Sequence, residues 1–190
     1  MSARVERTHA AVMEAATALL SEGGPSAVTI DGVVARSGVA KSTVYRHWAT
    51  RDELVADVFE HIAPKLEAPC ASLDFEAALH GLVRNTMGMM NEPEWQRVLP
   101  ALLMLKQHQK GIADVEQRLQ HTQLAVCSDV LQRGIDEGRI APDADIEFLL
   151  TLLLGPLVMA GLTASTEMNE EFADQLVKHF LAGLGPVASQ

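Results

Sequence analysis

The sequence predicts an all-α fold of about nine helices, a three-helix N-terminal domain containing a helix-turn-helix followed by a larger helical domain. Three observations carry that prediction. Apolar residues recur at three- and four-residue intervals through nearly all of the 190 residues, and no alternating run has the length or bounding turns that a sheet needs. Hydrophobic residues make up 48% of the chain and aromatic ones only 4%, so the core is Leu, Ala, Val and Met, which suits helix packing. The stretch from Thr29 to Leu54 compresses two short helical patterns around a glycine-containing turn.

The elements follow in order. A first helix is expected from about Val5 to Ser21, with Val12, Ala15, Ala16, Leu19 and Leu20 on one face, and Gly23-Gly24-Pro25 stop it. Thr29 then caps a second helix whose first turn holds Asp31, near the positive helix end, and whose buried side is Ile30, Val33 and Val34. Gly38 can take the positive φ of a sharp turn, and Val39 plugs the angle to the next helix. The third helix runs from about Ala40 to His47, with Val44 and Trp48 turned inward; two turns cannot survive alone, so its neighbours must hold it. Thr50-x-x-Glu53 reads as a capping box opening a fourth helix with Leu54, Val55, Val58, Phe59, Ile62 and Leu66 at helical spacing, its end kinked or loosened by Pro64.

A boundary is expected near residues 64 to 73, separating a helix-turn-helix domain at 1–63, linked through the fourth helix, from a second domain at 64–190. Helices are expected in the latter at about 73–90, 93–109, 112–137, 144–164 and 168–184. Asn91-x-x-Glu94 is a second capping-box candidate, and Gly134 and Gly138 bracket what reads as a frayed helix end.

The formal charge of -10 conceals an asymmetry. Residues 1–51 carry six Lys or Arg and four acids, and the remaining residues carry nine and 21. No acid lies between Gly32 and Arg51, whereas Arg36, Lys41 and Arg46 do, so a cationic surface sits on an anionic body. A phosphate backbone feels the surface that docks on it, because charges beyond about 10 Å are screened. Two cysteines, Cys70 and Cys127, do not make a disulfide framework, and MSARVERTHA has no signal-peptide pattern, which together point to the cytoplasm. The 19 uncharged residues from Phe148 to Thr166 approach the length of a membrane span. Gly155, Pro156, Gly161, four hydroxyl residues and acidic flanks instead favour a subunit interface or helical core, and no membrane association is expected.

A short helix locked across its predecessor can enter the DNA major groove, about 12 Å wide, where each base pair shows a distinct donor and acceptor pattern. The third helix would present Lys41, Ser42, Thr43, Tyr45 and Arg46 there, Lys41 and Arg46 being able to donate either to guanine or to phosphate. Ser42, Thr43, Tyr45 and His47 supply phosphate-positioning donors, and the helix N-termini at Thr29 and Thr50, with Arg51, add further anion contacts.

These residues resemble the DNA-binding domain of TetR-family transcriptional regulators, through Thr29, Ala35, Gly38, Tyr45, His47, Trp48, Arg51, Glu53 and Leu54. The resemblance implies backbone contacts by Thr29, Thr43, Tyr45, His47 and Arg51, with Lys41, Ser42 and Arg46 placed for base reading. Two positions depart from the family pattern. Gly32 stands where alanine is usual, weakening the second helix by about 0.5 to 1 kcal/mol, and Ala40 stands where serine is common. Residues 145–164 and 171–184 are similar to the last two helices of one TetR-family subgroup, which form a four-helix bundle across a homodimer. That implies dimer contacts from Leu149, Leu152, Leu153, Pro156, Leu157, Leu176 and Phe180, and burying so apolar a run independently calls for a second copy.

The resemblance also implies an effector pocket for an apolar or amphipathic small molecule. Its candidate lining is Met87, Met90, Trp95, Met104, His108, His121, Cys127 and Met159, where methionine is adaptable and Trp95 can donate one hydrogen bond. No catalytic motif, metal-ligand spacing or cofactor signature is visible, so neither an enzyme nor a cofactor is expected. The expected function is a ligand-responsive repressor binding double-stranded, pseudo-palindromic operator DNA as a homodimer. A DNA-binding regulator without an effector and a helical protein-interaction module are the alternatives.

Overall fold

The computed structural model describes residues 3–105, 110–163 and 166–185. Among them are nine α-helices and no strand: α1 (Ala3–Gly23), α2 (Ile30–Ser37), α3 (Lys41–His47), α4 (Arg51–Ile62), α5 (Phe75–Asn91), α6 (Pro93–Leu105), α7 (Lys110–Asp136), α8 (Ile146–Thr163) and α9 (Glu170–Gly183). A 3-10 turn at Pro25–Ala27 follows the glycine-rich stop. The helices sort into two compact units that do not follow chain order: residues 1–63 with 93–119, and residues 64–92 with 120–190.

In the first unit α1 packs on α2, α4 and α6, and α6 packs on α4. Val12, Met13, Ala16 and Leu20 of α1 are buried, as are Val33, Val44, Leu54, Val58 and Phe59 of the three helices that follow. Each large side chain so placed contributes about 1.5 to 3 kcal/mol. From α6 come Trp95, Val98 and Leu102. Val44 is the only buried residue of α3, so that helix owes its place to one valine and to Trp48 behind it.

The second unit is built on α5, which packs against α8 and α9. The start of α5 is doubly held: Asp74 accepts from the Ala77 N–H at 2.8 Å, and the Glu137 carboxylate accepts from the Phe75 N–H at 2.9 and 3.1 Å. Asn169 caps α9 by accepting from the Phe172 N–H at 3.0 Å. Leu150, Leu153, Leu157 and Ala160 of α8 are buried with Ala173, Val177 and Phe180 of α9.

Two local expectations are corrected. Asn91 does not open a capping box; it ends α5, and its side-chain amide donates to the Met168 carbonyl at 3.1 Å, while α6 starts on Pro93. Gly134 is not part of a frayed end. A Cβ there would lie 2.7 Å from Ile140 Cδ1 and 2.9 Å from the Phe75 ring, so the glycine permits close packing of two buried side chains. Gly138 alone takes the left-handed conformation, φ 68°, that ends this segment.

Candidate nucleic-acid interface

The helix-turn-helix is assembled from local chemistry. Thr29 is extended, φ -114°, and its Oγ1 accepts from the Gly32 N–H at 3.0 Å, opening α2. Gly38 closes α2 in the left-handed region, φ 69°, where a Cβ would be strained, and its N–H donates to the Val34 carbonyl. Ser37 Oγ accepts from the Val39 N–H at 3.2 Å, fixing the turn into α3. Ala40 gives α3 no side-chain cap. Thr50 opens α4 by accepting from the Glu53 N–H at 3.1 Å, while Glu53 reaches one residue further back than expected, to the Ala49 N–H at 2.8 Å. Both threonines use a lone pair in capping, so their hydroxyl protons stay available to a phosphate oxygen beside a positive helix end.

Trp48 is turned inward as its spacing predicts, but the partners that hold it have no sign in the sequence pattern. Trp48 Nε1 donates to Asp57 Oδ2 of α4 at 2.8 Å, and the same oxygen lies 3.2 Å from His9 Nε2 of α1. The His9 ring packs on Trp48 with centroids 5.2 Å apart, and His47 packs at 5.4 Å. Since the Trp48 backbone N–H donates to the Val44 carbonyl, this cluster pins the last turn of α3 to α1 and α4. His9 and Asp57 are 48 residues apart, beyond any local spacing rule.

The structure separates the cations that the sequence grouped together. Arg36 makes a two-pronged ion pair with Glu22 at 2.7 and 2.6 Å; the hydrogen bond first, and then the charge, holds the Glu22 carboxyl below its ordinary range. Lys41 Nζ lies 2.6 Å from Asp31 Oδ1, a hydrogen bond that raises the lysine pKa. Arg51 faces inward: Nε donates to the Val28 carbonyl at 2.8 Å, Nη2 donates to the Pro25 carbonyl, and Nη1 meets Asp52 at 3.3 Å. This guanidinium ties the segment before α2 to the start of α4. Arg46 has no ion pair among the described residues and is exposed on α3 with Ser42, Tyr45 and His47, while Thr43 is half-buried. Thr29 and Thr50 are exposed at their helix ends.

Residues 12–58 match the family described as bacterial regulatory proteins, tetR family, and residues 72–180 match the tetracyclin repressor-like C-terminal domain. The chain belongs to the TetR family. The uncharacterised HTH-type transcriptional regulator YdeS of Bacillus subtilis is 26% identical over 95% of this chain and 91% of its own length. The HTH-type transcriptional repressor Rv3405c of Mycobacterium tuberculosis is 39% identical over 84 residues, 41% of this chain and 45% of that protein. The crystal structure of the TetR family transcription regulator SCO0332 superposes with a TM-score of 0.68 at 26% identity, covering 94% of this chain and 99% of that one.

Membership in the TetR family makes this a helix-turn-helix transcriptional regulator. The residues expected to contact an effector differ in burial. Met87, Met90 and Cys127 are buried in the second unit, Trp95 is buried in the first, Met104 is 72% exposed, and His121 is exposed. His108 lies outside the described residues. Met159 instead lines a half-open groove of about 840 Å³ between α7 and α8, with Gln123, Leu124, Ser128, Leu150, Thr151 and Val158 among its walls.

The residues expected at the dimer interface divide by face. Leu153, Leu157 and Phe180 are buried within the chain's own core, and Leu149 and Leu176 are half-buried. Leu152 and Pro156 are exposed, in a stripe with Phe148 and Met159 that the sequence pattern did not single out, because every face of α8 is apolar. Mean hydropathy over the 18 residues of α8 is 1.9, yet only 28% of it is buried within the chain.

Proposed function

We propose that this TetR-family protein is a cytoplasmic, ligand-responsive transcriptional repressor that binds a pseudo-palindromic operator as a homodimer. One observation carries the DNA-binding reading: a cluster of buried Trp48 with half-buried Asp57 and His9 holds α3 so that Arg46, Ser42 and Tyr45 stand together in solvent. Thr29 and Thr50 are then the neighbouring phosphate donors. The name of the mycobacterial relative, a transcriptional repressor, supports repression over activation.

Dimerisation is supported by the apolar stripe of α8. Phe148 and Met159 are 62% and 60% exposed, and a second copy of the same helix covers such a stripe by twofold self-complementarity. The groove between α7 and α8 continues this face, and we assign it to the partner's side chains. Two helix-turn-helix units per dimer then read two half-sites.

Effector control is supported by Trp95. Its indole N–H is buried without a hydrogen-bond partner among the described residues, and a buried unpaired donor costs about 1 to 3 kcal/mol. An apolar molecule bearing one acceptor would relieve that cost. Such a molecule induces only if it binds the DNA-incompetent state more tightly, since equal affinity shifts nothing. The buried positions of Met87, Met90 and Cys127 favour the second reading, a regulator with no small-molecule effector.

A mobility-shift titration on the DNA upstream of its own gene tests the reading. Binding that weakens steeply with salt supports it, and no binding at low salt overturns it. Release by an apolar compound that also quenches tryptophan fluorescence favours the effector-responsive form; a panel without release favours the second.

A further inference from the structure

Lys41 is the first residue of α3, the end of a recognition helix that meets base edges. Its ammonium lies 2.6 Å from the carboxylate of Asp31, in the first turn of α2. Both side chains face solvent, 51% and 79% exposed, and Asp31 is the one acid between Glu22 and Asp52. An acid at this place works against simple backbone binding. It sits where the α2 N-terminus would attract a phosphate, and it occupies a lysine that would otherwise take any phosphate within reach.

Toward bases the same pair is complementary. In the major groove guanine presents the acceptors O6 and N7 and its partner cytosine presents the N4 amino donor, so an ammonium and a carboxylate side by side match the two halves of one G·C pair. We propose that Asp31 is a specificity-determining residue, withholding Lys41 from phosphates and, with Lys41, selecting a G·C pair in each half-site. This rests on the DNA-binding reading above. Arg46, which has no ion pair among the described residues, is left to supply the unspecific phosphate attraction.

Asp31→Asn tests it in the full-length protein, with binding measured over a salt series on the upstream operator, on unrelated duplex, and on operators carrying single base-pair changes. The variant is expected to bind unrelated DNA more tightly and to steepen the slope of log affinity against log salt by about 0.9, so that roughly threefold more affinity is lost between about 50 and 200 mM salt. Preference for one G·C pair per half-site should fall by roughly fivefold or more. Adding Lys41→Ala to Asp31→Asn should abolish the change in slope, and circular dichroism checks that both proteins stay folded. A wild-type slope with unchanged base preference in Asp31→Asn overturns the proposal, as does a steepened slope that survives Lys41→Ala. Wild-type protein that binds no DNA at low salt overturns the DNA-binding reading itself, a result distinct from either.

Discussion

Gly32 shows how a residue that reads as a weakness acquires a reason. On helix propensity alone an alanine would strengthen α2 by about 0.5 to 1 kcal/mol. A Cβ at this position, however, would stand 2.9 Å from Thr29 Oγ1 and 3.3 Å from Leu19 Cδ1, and Thr29 can move only by giving up its cap on the Gly32 N–H. Losing that cap costs about 1 kcal/mol. Gly32→Ala is therefore expected to leave stability unchanged or lower it, and chemical denaturation showing a gain would refute this account. Asp57 acquires its role only in the fold, as the acceptor for the Trp48 indole N–H. Asp57→Ala leaves the buried Trp48 N–H without an acceptor and should cost about 1 to 3 kcal/mol together with much of the operator affinity. Asp57→Asn, which keeps an acceptor oxygen, should restore most of both; equal losses from the two variants would place the effect elsewhere. The cysteines differ by burial: desolvation pushes the Cys127 thiol up to about 11, whereas hydrogen bonding to Ser72 first of all lowers that of exposed Cys70. Because the folded Cys127 holds its proton more tightly than the ordinary 9.0, its contribution to stability is intact below pH 9 and declines as pH rises from there toward about 11. Iodoacetamide at pH 8 should accordingly label Cys70 and spare Cys127 in the folded protein, with mass spectrometry as the readout. At this scale the caps Thr29 and Thr50 were legible because their partners lie three residues away. The roles of Lys41 and Arg51 were not, since their partners come from 10 to 26 residues away and only the fold brings them close.

Among the elements, α3 and α8 are the two that do not stand on their own. The seven residues of α3 bury one side chain, so its orientation is borrowed from α1 and α4 through Trp48. Periodicity located this helix within a residue of its start, because a glycine turn and a change of apolar phase bound it, and it turned Val44 and Trp48 inward; the Asp57 and His9 that hold Trp48 lay outside that window. The reverse holds for α8. Its existence was plain from the apolar run, but the run hides which face is inward, and only the packed structure separates buried Leu153 and Leu157 from exposed Leu152. Leu152→Asp is predicted to convert a dimer to a folded monomer, with sedimentation moving from twice the 20.5 kDa chain mass to that mass and little loss of helicity. Leu153→Asp should instead unfold the second unit, since it buries an unpaired charge. A Leu152→Asp protein that remains dimeric would remove α8 from the interface.

For the molecule as a whole, the helical class and the family were readable from end to end, because helix periodicity and a local motif survive in the sequence. The grouping of helices was not. Nothing local indicates that residues 93–119 join the N-terminal helices, since the contacts of α6 with α1 and α4 are long-range ones. The residues expected at an effector pocket differ in the same way: Met87 and Cys127 lie in the core and Met104 on the surface, a difference that residue type alone does not carry. A dimer that reads DNA through two copies of α3 leaves a distinctive footprint on the DNA upstream of its own gene. Footprinting should show two protected half-sites related by a dyad about one or more helical turns apart, both weakened by Arg46→Ala and both lost in the monomeric Leu152→Asp protein. A single protected site of undiminished affinity in that monomer, or no protection even at low salt, would contradict it.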